Sequence, residues 1–138
     1  MRIAVIDGQG GGIGKALVER LKKLLQGTVE ITALGTNSTA TLAMLKAGAD
    51  NGATGENAVI YNCSNVDIIT GPVGIVVANS MMGEFTPEMA TAVGGSNALK
   101  VLVPINKCNV EIAGMDEPSL PVCIDKAIAI IKKQIKEL

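Results

Sequence analysis

Five glycines fall within seven residues in Gly8-Gln9-Gly10-Gly11-Gly12-Ile13-Gly14. The run follows the apolar stretch Ile3-Ala4-Val5-Ile6 and Asp7, and it leads into a segment with helical periodicity from Ile13. A strand, a small turn and a helix start therefore come in order. Glycine lets a ligand approach the backbone where a Cβ would otherwise stand. The first amides of a helix have no partner within it, and with the helix dipole they attract an anion. The chemistry implied is capture of a phosphate-sized anion by main-chain N–H groups. The bland alternative is a glycine turn that only joins strand to helix tightly.

The spacing separates the known loop types. A phosphate-cradling G-x-x-x-x-G-K-[ST] loop fails because Gln9 takes its first glycine position and Ala16 its hydroxyl position. The strict G-x-G-x-x-G pattern from Gly8 and Gly10 would need glycine at Ile13. The variant G-x-x-x-G-x-G fits through Gly8, Gly12 and Gly14, and it resembles the nucleotide loop of short-chain dehydrogenases and reductases. That resemblance implies an NAD(P)-like dinucleotide but stops at the loop. The family's active site needs Tyr and Lys four positions apart, whereas Tyr61 is followed at that spacing by Asn65.

A second group of candidates lies where a second strand would end, at Gly35-Thr36-Asn37-Ser38. No Asp or Glu stands there to hold a ribose diol, and its hydroxyls and amide at a helix start favour NADP slightly over NAD, although no arginine is near. The same residues also suffice simply as a helix cap. The expected ligand-contacting set is Gly8, Gln9, Gly10, Gly11, Gly12, Ile13, Gly14, Thr36, Asn37, Ser38, Thr70 and Gly71, with Asn106, Lys107 and Cys108 on the same side. Asp7 either receives a ribose hydroxyl or, the better reading, secures the turn. Lys107 beside Cys108 is a weak case for an activated thiol, since no second activating group accompanies it. Asn79-Ser80-Met81-Met82-Gly83-Glu84 reads as a ligand-facing or dimer-facing helix end with Glu84 reaching a partner, or as an ordinary C-terminal turn ending at Gly83.

Composition excludes more than any motif includes. Histidine is absent, which removes Ser-His and Cys-His nucleophiles and every His-based metal site; no metal is expected. Tyr61 and Phe85 are the only aromatic residues, so a base must rest on aliphatic side chains. A net charge of −1 with mixed signs gives no footprint for nucleic acid. Cys63, Cys108 and Cys123 are odd in number and far apart, which suits reduced thiols. No apolar run approaches the roughly 18 residues of a membrane span, and a soluble cytoplasmic protein is expected.

These residues need positioning elements. Residues 2–6 predict a buried strand, Ile13 to Gln26 an amphipathic helix stopped at Gly27, and Val29 to Leu34 a second strand. A helix capped within Thr36–Thr39 should end at Gly48, and Thr54 should cap a short helix over Glu56 to Cys63. A strand is expected at Val66 to Thr70. Val73 to Met82, apolar nearly all round, predicts a helix buried in the core or, preferably, in a homodimer contact. Thr86-Pro87 starts another helix that ends near Gly94-Gly95. Leu99 to Ile105 and Val110 to Ala113 are too close for a crossover and predict an antiparallel hairpin at the sheet edge. A final amphipathic helix follows Pro118 and Pro121 through Leu138.

Alternating strands and helices predict one α/β domain over residues 1–138, a three-layer sandwich with a mostly parallel sheet and that antiparallel edge. Over its whole length the chain resembles a small bacterial family catalogued as a domain of unknown function. The resemblance rests on Asp7-Gly8-Gln9-Gly10-Gly11-Gly12-Ile13-Gly14, Gly71-Pro72-Val73-Gly74-Ile75 and Ala78-Asn79-Ser80-Met81-Met82-Gly83-Glu84. It implies a Rossmann-like fold and no reaction. Three functions stay open: a nucleotide-binding or sensing module, a small oxidoreductase or transferase completed across a homodimer, and an interaction protein whose loop is empty.

Overall fold

The first apolar run forms β1 (Arg2–Asp7), and the chain turns through the glycines into α1 (Gly12–Leu24). Then come β2 (Glu30–Gly35), α2 (Ser38–Lys46), β3 (Asn51–Thr54), α3 (Glu56–Cys63), β4 (Ile68–Pro72), α4 (Pro87–Gly94), β5 (Leu99–Val103) and α5 (Leu120–Lys136). The computed structural model describes residues 1–25, 27–105, 109–116 and 119–136. Five strands form one sheet in the order β3-β2-β1-β4-β5, and every pair is parallel.

Alternate side chains of each strand feed opposite cores, as the two-residue period requires. Ile3 and Val5 of β1 point with Ile31 and Ala33 of β2 into a core closed by α1 and α5, through Leu17, Leu21, Ile124 and Ile128. Ala4, Ile6 and Leu34 point the other way, against Val59 of α3, Met89 and Val93 of α4, and Phe85. Each fully buried aliphatic side chain contributes about 1.5–3 kcal/mol relative to exposure. Both faces of β1 are sealed, which fixes the glycine loop at its carboxyl end.

Four local expectations change. Among the described residues the antiparallel hairpin is not formed: β5 ends at Val103, and 110–113 form no strand. Asn109 (φ 64°) and Gly114 (φ 82°) bracket that segment in left-handed turns, so four short residues have no extended run to pair. The segment Val73 to Met82 is no continuous helix but a single 3₁₀ turn, Val73–Val76, followed by a loop. Its β-branched residues disfavour the α conformation, and Ser80 Oγ donates to the Gly74 carbonyl at 2.6 Å. Val73 and Ile75 are buried within the chain, whereas Val76 and Met82 stay exposed, so only part of this apolar segment, expected to make a homodimer contact, is covered by the protein itself. Gly55, not Thr54, stands at the N-cap of α3, because Thr54 Oγ1 is engaged with Thr41 Oγ1 at 2.7 Å. The fourth change is an added strand, β3 (Asn51–Thr54), where the sequence predicts none.

Asn106, Lys107 and Cys108 lie outside the described residues, as do Gln26, Pro118 and Leu138. The helix bounds expected at Gln26 and Leu138 therefore have no counterpart here. Among the described residues no helix is long and apolar enough to cross a membrane.

Candidate functional site

In this sheet order the connections after β1 and β4 leave toward opposite faces, and ligands of open α/β sheets bind at such a switch point. The glycine loop occupies it. Asp7, the last residue of β1, is buried, and its Oδ1 accepts the Gly8 amide at 2.8 Å while its Oδ2 accepts the Gly14 amide at 2.7 Å. Burial raises the Asp7 pKa; the amides of Gly14, Gly8 and Ile13 oppose that rise, and the nearby Glu84 charge adds to it. Asp7 thus secures the turn and satisfies inner amides at the start of α1.

The glycines divide into two kinds. A Cβ on Gly8 would meet Met81 Sδ at 2.6 Å and Thr36 Oγ1 at 2.7 Å, and one on Gly14 would meet Met44 Sδ at 2.6 Å. Gly11 has φ 75° and lies where a Cβ would stand 2.9 Å from Ala40 Cα. These three are demanded by packing within the chain. Gly10 and Gly12 are exposed, a Cβ on either would meet nothing within 4 Å, and neither has a positive φ. Nor do their amides donate to any described residue, whereas the Gly11 amide is tied to Gly8 O at 2.9 Å.

A second carboxylate closes the loop from outside. Glu84 Oε1 accepts the Gln9 amide at 2.8 Å, Thr36 Oγ1 at 2.7 Å and Asn37 Nδ2 at 2.9 Å. Those donors hold its carboxyl below the ordinary glutamate range, Thr36 contributing most. The loop that carries it bends through left-handed Asn79, Met81 and Met82, with φ of 63°, 57° and 57°. Asn37 caps α2, its Oδ1 accepting the Ala40 amide at 2.9 Å, and its Nδ2 also donates to Gln9 O at 3.0 Å.

The expected site residues therefore separate. Gly8 to Gly14, Thr36 and Asn37 come together, with the Ile13 side chain turned into the core and Ser38 exposed on the first turn of α2. Thr70 does not join them: it is fully buried and donates to Val101 O at 2.7 Å, tying β4 to β5. Gly71 is buried against the Ile6 carbonyl, where a side chain has no space. Glu84, expected at a helix end and reaching a partner, instead stands beside the second strand; that place has no local signal, since the donors lie 47 to 75 residues away. The slight preference for NADP loses its basis, because an acid does stand at that strand end.

Other chemistry lies apart. Tyr61 is exposed on α3, and Cys63 is buried with its thiol pKa pushed up to about 11 by desolvation. Among the described residues no group of three or more Cys, Asp or Glu is placed to hold a metal ion. A cavity of about 580 Å³ lies between β5 and α5, away from the loop.

Sheet order and loop define a Rossmann-like α/β protein with its first turn at the switch point. More particularly, the chain belongs to the family described as a domain of unknown function, DUF3842, whose profile matches residues 2–136. No curated protein matches the sequence. Among solved structures it is similar to a dodecameric FMN-dependent Ubix-like decarboxylase from Escherichia coli O157:H7. The identity is 18%, the alignment covers 96% of this chain and 76% of that one, and the TM-score is 0.48.

Proposed function

We propose that residues 1–138 act as one nucleotide-binding domain, a binding or sensing module whose glycine loop holds a ligand phosphate on the amides of Gly10 and Gly12. One observation carries this reading: among the described residues these two glycines have no steric or conformational reason, yet they are exposed beside the start of α1 with amides that donate to none of those residues. Backbone that must be approached closely by something else is what such glycines serve. Thr36 and Asn37 stand on the neighbouring strand end, where the rest of a nucleotide would extend.

A second reading is favoured by a different observation. Asp7 and Glu84 already satisfy the amides of Gly8, Gly14 and Gln9, so the loop of an interaction protein would be closed by its own carboxylates.

Thermal shift and calorimetry against a panel of adenine, flavin and nicotinamide nucleotides separate the two. A ligand that binds only the folded state at a hundred times its Kd adds about 2.7 kcal/mol of apparent stability. Gly12→Asp places a negative side chain where the phosphate would rest, and the same charge suits a helix N-terminus. The expected result is a folded variant without the ligand shift. A shift that persists in folded Gly12→Asp, or no shift with any nucleotide, overturns the proposal.

A further inference from the structure

We infer that Glu84 selects the ligand's sugar, accepting a hydroxyl of an unphosphorylated ribose and excluding a 2′-phosphate. This rests on the nucleotide-binding reading and narrows it to nucleotides with a free ribose diol. In sheets of this order a nucleotide whose phosphate meets the first helix places its ribose past the end of the second strand, beside an acidic residue. Here Gly35-Thr36-Asn37-Ser38 supplies no acid. The fold supplies one from elsewhere, because Thr36 and Asn37 hold the Glu84 carboxylate across 48 and 47 residues of sequence.

The geometry of that carboxylate favours recognition over simple latching. Three donors converge on Oε1, at 2.7 to 2.9 Å, and Oε2 accepts from no described residue. One oxygen is used to orient the group, which leaves the other as a preorganised acceptor at an exposed position. A hydroxyl donates to such an oxygen; a phosphate is mostly dianionic at neutral pH and carries like charge. Glu84 takes part in none of the ion pairs among the described residues, so its charge meets an incoming ligand without a paired cation.

Calorimetric titration of the wild-type chain with NAD⁺, NADP⁺, AMP and 2′-deoxy-AMP tests this. NAD⁺ should bind roughly tenfold or more tightly than NADP⁺, and AMP more tightly than its deoxy form by a similar factor, as loss of one charge-assisted hydrogen bond implies. E84Q keeps an oxygen for Gln9, Thr36 and Asn37 but removes the charge, and its preference for NAD⁺ over NADP⁺ should shrink toward equality. Equal binding of NAD⁺ and NADP⁺ by the wild type overturns the inference without any variant, and so does an unchanged preference in folded E84Q. Failure of all four ligands to bind overturns the nucleotide reading itself, and this inference with it.

Discussion

Asp7 Oδ2 accepts the Gly14 amide at 2.7 Å, so the end of β1 is joined to the first turn of α1 across seven residues by one buried carboxylate. The same side chain takes the Gly8 amide through its other oxygen. A loop rich in glycine is loose when unfolded, and this pair of bonds gives it one shape. The anion-attracting start of the helix is thereby divided, with inner amides satisfied by the protein and outer ones left facing solvent.

Asp7→Asn should cost about 1–3 kcal/mol, because a carboxamide offers one acceptor oxygen and leaves a buried amide of Gly8 or Gly14 without a partner. Urea unfolding of the two proteins checks this. A loss indistinguishable from zero means that the loop holds its shape without the carboxylate.

Gly14→Ala and Gly12→Ala should move stability in opposite directions. The first places a methyl against Met44 Sδ and Asp7 Cβ, at 2.6 and 2.9 Å before relaxation, and overpacking of that kind costs about 1–3 kcal/mol. The second meets nothing within 4 Å and should stabilise by roughly 0.4–1 kcal/mol through the unfolded chain. Thermal melts compare them directly, and destabilisation by Gly12→Ala would show that this glycine is needed for the fold rather than for a ligand.

The two carboxylates of the loop should titrate with opposite signs. Asp7, raised by desolvation, binds its proton more readily folded than unfolded. Its contribution is therefore fullest below the ordinary aspartate range and falls as pH rises through the higher folded value. Glu84, lowered mainly by Thr36 and the Gln9 amide, contributes above the ordinary glutamate range and loses that contribution as pH falls toward its lower folded value. Carboxyl ¹³C chemical shifts followed with pH should place Asp7 above a free aspartate and Glu84 below a free glutamate. A lowered Asp7 would mean that its amide bonds outweigh its burial, and a raised Glu84 would remove the donors described for it.

Much of this arrangement is readable locally. The β1–glycine–α1 unit, the Asn37 cap of α2 and the Thr86-Pro87 start of α4 depend on residues a few positions apart. Thr86 Oγ1 accepts the Met89 amide at 3.2 Å, an interaction contained in four residues of sequence. Amphipathic spacing in α5 likewise names its buried face, from Cys123 to Ile131. β3 was not readable, because Asn51-Gly52-Ala53-Thr54 has little strand propensity and is held by its parallel ladder with β2. Val73 to Met82 misled for a related reason: composition signals burial, and only the surrounding core decides the backbone shape that achieves it.

By itself, the order of residues determined that a phosphate-sized glycine turn would sit between a buried strand and an amphipathic helix, since both periodicities and the turn are short-range properties. Tertiary structure alone decided that Glu84 stands at the end of the second strand and accepts the Gln9 amide. Those outcomes depend on contacts 47 to 75 residues apart, set by how the helices close on the sheet and written in no local pattern.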